Sequence, residues 1–201
     1  VTGPGGHRIG ICGQAIIVEQ QMTGISSISS ICIRIARDFV GIAEKMSVLR
    51  GSVLILGRPG SGKTTLLRDL VRYRSNSSPG AVSVIDEKCE IFPHIRSVSC
   101  FEVGVNTDVM YNCPKPQGIE VVLRNMGPST IAVDEITAEE DCRALLHAGW
   151  CGVDILATAH AGNIADLYSR PIYKSIVDSK LFENVIILRP DKSWYIERIT
   201  S

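Results

Sequence analysis

Gly57-Arg58-Pro59-Gly60-Ser61-Gly62-Lys63-Thr64, continued by Thr65, is a complete phosphate-loop pattern. An apolar stretch, 53–56, precedes it and a helical pattern, 63–74, follows. Glycines let a backbone bend until its N–H groups converge on an anion. The helix start then adds about half a positive charge. In that setting Lys63 is expected to reach the β- and γ-phosphates of ATP, and the Thr64 hydroxyl to bind Mg²⁺. Pro59 has no N–H, so it must take a loop position that donates nothing. The plain alternative is a glycine-rich connector, which the strand before and the helix after argue against.

Carboxylates follow two later apolar runs. Asp134-Glu135 ends 130–133, and Asp86-Glu87-Lys88-Cys89-Glu90 ends 81–85. A carboxylate in the first position can hold Mg²⁺, and a second beside it can orient or deprotonate the attacking water. Asp134 is expected on the metal, because its strand is expected next to the phosphate loop. Glu135 is then the expected base, with Glu90 in a supporting role and Glu87 or Glu90 as the rival bases. The plain readings are a helix cap for the first pair and a solvated acidic loop for the second. His160 follows the run 155–159, where an imidazole can sense the γ-phosphate. His7, His94 and His147 read as structural or surface groups, and Trp150 and Trp194 as core or interface aromatics.

These residues need a frame. From residue 52 the chain alternates apolar strands (52–56, 81–85, 130–133, 155–159) with helical patterns (63–74, 119–126, 139–148), and two strands, 184–188 and 194–199, close it. That alternation predicts an α/β fold with a mainly parallel sheet flanked by helices and a site beyond the strands' carboxyl ends. Residues 92–117 read as loop-rich. Residues 1–46 form a glycine-punctuated, β-rich opening, with a half-buried strand at 31–35 and a short helix at 38–46. The division is therefore 1–46 as a partial N-terminal segment and 47–201 as the ATPase domain. The chain opens at Val1 inside that segment, so it is expected to be a piece of a longer protein.

Composition narrows the classes. Lys+Arg and Asp+Glu balance at 21 each, which argues against a nucleic-acid partner. No apolar run approaches the roughly 18 residues of a spanning helix. Seven cysteines without a Cys-x-x-Cys pair are expected to be reduced and mostly buried, as in a cytoplasmic protein. A GTPase would carry an Asn-Lys-x-Asp element, which is absent. A small-molecule kinase would want an arginine-rich lid, and Arg96 is the one arginine in 92–119. The remaining alternative is a non-motor nucleotide-binding regulatory subunit.

Beyond the two nucleotide motifs stand Ser29-Ser30-Ile31-Cys32-Ile33-Arg34-Ile35, Cys113-Pro114-Lys115, Leu146-His147-Ala148-Gly149 and Ala157-Thr158-Ala159-His160. With them the chain resembles the stage III sporulation protein AA family, relatives of type II and type IV secretion ATPases. The resemblance covers most of 27–162. It implies a RecA-like core behind a small N-terminal domain, and a homo-oligomer that is a hexameric ring in relatives. It further implies partner subunits of a membrane channel or secretion machine, and a cytoplasmic place beside that complex in the mother cell. By the same resemblance the acidic cluster 86–90 contributes to catalysis, Thr158 and His160 form a Thr-x-His element, and Arg34 reaches the nucleotide. Asn106 and Thr137-Ala138 depart from the family's pattern.

Overall fold

The computed structural model describes residues 3–46, 48–95 and 98–198. Arg96, noted above for the absent lid, and Ile199, the expected end of the last strand, lie outside them.

The opening is a long antiparallel ribbon of β1 (Arg8–Val18) and β2 (Gln21–Arg34), in which Arg8 faces Arg34 across the strands. It pairs with no strand of the main sheet. The strand expected at 31–35 forms, but half-burial does not: Ile31, Ile33 and Ile35 are 58%, 63% and 64% exposed. Alternation recorded an apolar face, and nothing in the described chain covers it. The helix expected over 38–46 is also absent, leaving one 3-10 turn, Glu44–Met46. Gly41 sits at φ 87°. The N–H groups of Gly41 and Ala43 are taken by the Asp69 carboxylate at 3.2 and 2.7 Å, the second being one that a helix over 38–46 would use internally.

The core follows in strand–helix units: β3 (Val53–Gly57), α1 (Lys63–Ser77) and β4 (Val82–Asp86). The segment expected to be loop holds a small hairpin, β5 (His94–Ile95) and β6 (Val98–Ser99), and an unforeseen strand, β7 (Thr107–Tyr111). Then come α2 (Lys115–Asn125), β8 (Thr130–Val133), α3 (Glu139–Trp150) and β9 (Asp154–Ala159). Two short helices, α4 (Ile164–Tyr168) and α5 (Lys174–Asp178), lead to the final hairpin of β10 (Asn184–Leu188) and β11 (Trp194–Arg198).

The sheet order is β11–β10–β3–β9–β8–β4–β7, parallel except for β11. Its central strands are buried on both faces, as crossover helices require. Val53 and Ile55 face α1 with Leu67 and Val71, while Leu54 and Leu56 face the other side with Ile119, Leu145 and Phe182. One expectation fails: β8, which carries Asp134, is not beside the phosphate-loop strand. β9 lies between them.

The chain that joins ribbon to core is clasped to α1. Asp69 is buried and, besides holding Gly41 and Ala43, accepts from Arg72 at 2.6 Å; Arg72 also forks onto Asp38 at 2.7 and 2.8 Å. Truncating Asp69 leaves two amides unpaired, although Arg72 keeps Asp38. Asp69→Ala is expected to cost about 2 kcal/mol, the scale of a charged hydrogen bond. In a chain of this size that lowers Tm by about 4–8 °C, which a calorimetric melt reads; an unchanged melt would dismiss the clasp.

Candidate active site

The phosphate loop is shaped by two residues in left-handed backbone, Gly60 (φ 75°) and Gly62 (φ 104°), a region closed to most side chains. The Leu66 N–H donates to Gly62 O at 3.0 Å and starts α1. Lys63 Nζ folds back on its own loop, donating to Gly57 O (2.9 Å), Arg58 O (3.2 Å) and His160 Nδ1 (3.0 Å). Burial pushes its ammonium below the usual lysine range, against the pull of Asp134 and Glu135. The Ser61 hydroxyl is buried with no protein partner, as expected where a ligand supplies one.

The intervening strand β9 supplies the bridge. Thr158 Oγ1 donates to Asp134 Oδ1 (2.5 Å) and receives the Glu135 N–H (2.8 Å). The other Asp134 oxygen accepts from Thr64 Oγ1 at 2.6 Å. Thr64 and Asp134 thus meet as hard oxygen donors suited to Mg²⁺, which binds few protein ligands and keeps its waters. Among the described residues no cluster of three or more His, Cys, Asp or Glu is arranged for a metal.

Glu135 stands in left-handed backbone (φ 58°), an uncommon conformation for a side-chain-bearing residue that recurs at functional sites. Its carboxylate is held by Lys88 at 2.7 Å and by His160 Nε2. The hydrogen bond from Lys88 is the main reason that its pKa lies near 2; His160 adds to it and partial burial opposes. Lys63, His160, Glu135 and Lys88 form one continuous chain.

The acidic cluster resolves into three roles. Asp86 is buried and accepts the N–H groups of Glu90, Ile91 and Phe92 at 2.8, 3.0 and 2.8 Å, which folds the segment back. Glu90 then reaches a cavity that the phosphate loop also lines, ion-paired with Arg8. Glu87 turns away and binds Lys115 at 2.6 Å, beside a smaller cavity.

A cavity of about 430 Å³ joins these groups: Pro59, Lys63, Thr64, Thr65, Asp134, Glu135, Glu90, His160 and Arg34 all line it. Arg8, Arg68 and Lys88 are contributors to which no role was assigned from the sequence. Arg8 sits in a glycine-rich stretch, and only strand register sets it opposite Arg34. Arg68 donates to Ile91 O and, at 2.9 Å, to Glu90 O, so the phosphate-loop helix carries the acidic turn. A second, apolar cavity of about 680 Å³ shares Gly60, Gly62 and Thr65 with the first and lies under Phe39, Ile42 and Trp194. Lys192 Nζ crosses its rim to Gly60 O at 2.5 Å.

One smaller expectation needs correction. The cysteines are free, but Cys142 alone is buried; Cys12, Cys32, Cys100 and Cys151 are exposed on the ribbon, a loop and a helix end, where no core reaches them. Trp150, expected in the core or at an interface, ends α3 with 78% of its surface exposed. Among the described residues no helix is long and apolar enough to cross a membrane.

Residues 1–196 match the family described as sporulation stage III, protein AA. Over 197 residues the chain is 39% identical to stage III sporulation protein AA of Bacillus subtilis (strain 168), covering 94% of this chain and 64% of that protein. It therefore spans just under two thirds of that relative's length. In three dimensions it is similar to the ATPase DotB of Legionella pneumophila, with a TM-score of 0.64 at 20% identity over 96% of this chain and 56% of that one. The pilus retraction motor PilT with bound ADP gives 0.61 at 14% identity, over 91% and 58%. The fold is thus the mainly parallel α/β core seen in DotB and PilT, beside a small antiparallel sheet.

Proposed function

Because this chain belongs to the sporulation stage III protein AA family, we propose that it is a Mg²⁺-dependent ATPase that works in a homo-oligomeric ring, hexameric as in the relatives it resembles, and powers a sporulation-associated channel or secretion machine. In this reading residues 47–201 are the ATPase domain, and 1–46 are part of an N-terminal unit that borders the nucleotide. The protein would act from the cytoplasmic side of a membrane complex in the mother cell. The observation that carries the reading is the Thr64–Asp134 pair beside a phosphate loop whose lysine is chained through His160 to Glu135.

The loop amides and Lys63 bind the β- and γ-phosphates. Thr64 and Asp134 hold Mg²⁺, which when bound neutralises charge on the phosphate oxygens. Glu135 receives the proton of the attacking water, with Glu90 in support. Lys88 and His160 both hold the Glu135 carboxylate and keep it ionised, and His160, tied to both Lys63 and Glu135, can pass on a change at the γ-phosphate. The apolar cavity takes the base and ribose.

ATP hydrolysis measured against protein concentration, with and without single-stranded DNA, tests the whole. Mg²⁺-dependent turnover that rises with concentration and ignores DNA is expected; turnover flat with concentration would remove the ring.

Arg34 tests the border with the ribbon. Its guanidinium lines the cavity from β2, where a cation can stabilise charge on the transferring phosphoryl group. Arg34→Ala is expected to lower turnover about fivefold, about 1 kcal/mol, with Tm changed by no more than about 1 °C because the side chain is exposed. Equal rates would count against it.

A further inference from the structure

The sequence singles out Cys113-Pro114-Lys115, and none of these residues lines the cavity around the phosphate loop. Lys115 is the first residue of α2, and 4% of it is exposed. Both features work against an ammonium. A helix start carries positive partial charge, and burial strips the group of water. Its place therefore depends on carboxylates from elsewhere. Nζ donates to Glu87 Oε2 at 2.6 Å and lies 3.5 Å from Asp141 Oδ2. That same Asp141 oxygen accepts the N–H groups of Thr137 and Ala138 at 3.0 and 3.2 Å.

The two carboxylates serve two different turns. Glu87 stands between Asp86 and Lys88, and Lys88 reaches Glu135. Thr137 and Ala138 continue the turn that Glu135 opens in left-handed backbone. A side-chain-bearing residue persists in that region where its surroundings hold it. Here the Glu135 N–H is bound to Thr158, the Ile136 carbonyl to Tyr173, and the next two N–H groups to Asp141. Asp86, Glu87 and Glu90 from one turn and Asp134 and Glu135 from the other line a cavity of about 20 Å³, the room of about one water. Their charges push the turns apart: burial raises the Asp86 pKa, and the charge of Asp134 adds to it. Lys88 crosses the gap with 53% of its side chain exposed, and an exposed ion pair holds weakly. Lys115 links the same two turns from within the protein.

We propose that Lys115 is a positioning residue for hydrolysis: paired with Glu87 and Asp141 at once, it fixes the acidic turn and the Glu135 turn at one separation and so keeps Glu135 aimed at the attacking water. This rests on the ATPase reading above. A base acts within hydrogen-bond reach of the proton it takes, and a misplacement of about 1 Å can cost about 100-fold. Such a clamp acts on the chemical step and leaves nucleotide affinity alone.

Glu87→Ala and Lys115→Met, each made in wild type and in Glu135→Gln, test the clamp on the full chain. Single-turnover hydrolysis of Mg²⁺-ATP and equilibrium ATP binding are the measurements. Glu87→Ala is expected to slow hydrolysis at least about fivefold, and Lys115→Met at least about tenfold, with ATP affinity within about twofold of wild type. In the Glu135→Gln background the same changes are expected to cost less than about twofold, because the group they position is gone. A merely structural loss carries over in full to that background, and that result overturns the inference. A Glu87→Ala rate equal to wild type also overturns it. Should Lys115→Met not fold, the half-buried Glu87 decides alone. In either overturning case the ATPase reading stands if Lys63→Ala is inactive; equal turnover in wild type and Lys63→Ala overturns the two together.

Discussion

Lys63→Ala is expected to lower kcat/KM for Mg²⁺-ATP at least about 100-fold, which is about 2.7 kcal/mol of transition-state stabilisation. In the ligand-free site the ammonium is buried among two carbonyls, an imidazole and two nearby carboxylates, and burial already disfavours its charge. A triphosphate gives that charge a stronger partner, so much of its worth is realised only with nucleotide bound. The substitution also releases His160 Nδ1, loosening the chain that leads to Glu135. Binding should weaken as well, because the β- and γ-phosphates lose a point charge. Steady-state hydrolysis and equilibrium binding, measured on wild type and variant together, check both halves. Native affinity with native turnover would remove the phosphate-loop assignment.

Glu135→Gln is expected to bind ATP with affinity close to wild type and to hydrolyse it at least about 100-fold more slowly, the usual range for removing a general base. The amide keeps the size and the backbone geometry, including the N–H that Thr158 receives, and removes the proton acceptor. It also removes the negative charge that Lys88 and His160 grip. A trapped ATP-bound state, seen as slow nucleotide release in single-turnover experiments, is the second expected sign. Glu90→Gln is the control. Glu90 reaches the same cavity but is spent on Arg8, so its loss should reduce turnover less. The reverse ranking would move the base to the acidic turn.

Much of this molecule was legible before its structure. The strands 130–133 and 184–188 were read with their observed limits, because each is a short β-branched or apolar run closed by turn residues. The phosphate-loop pattern was legible because phosphate binding demands fixed residue types at fixed spacing, and Gly60 and Gly62 stand in left-handed backbone that favours glycine. The Asp134-Glu135 pair was legible for the same reason. Strand β7 was not: Thr107–Tyr111 lies at the sheet edge, half-covered, so its residues carry no strong apolar run. The 38–46 segment misled because its pattern is helical while its amide groups are claimed by Asp69, a partner 26 residues or more away in sequence.

The sequence by itself determined the class of chemistry: a phosphate cradle, two hard oxygen donors, a neighbouring carboxylate and an α/β frame that puts strand ends at one edge. Those follow from local rules of spacing and periodicity, which a linear text preserves. The tertiary structure alone decided the partners. It inserted β9 between the phosphate-loop strand and β8, so that Thr158 ties Asp134 to the Glu135 N–H and His160 joins Glu135 to Lys63. It turned Glu90 toward the cavity and Glu87 away from it, and it brought Arg8 opposite Arg34 through the register of a ribbon. Strand order and register depend on which buried faces fit against each other across the whole domain. That is a property of packing between distant segments, and no spacing along the chain encodes it.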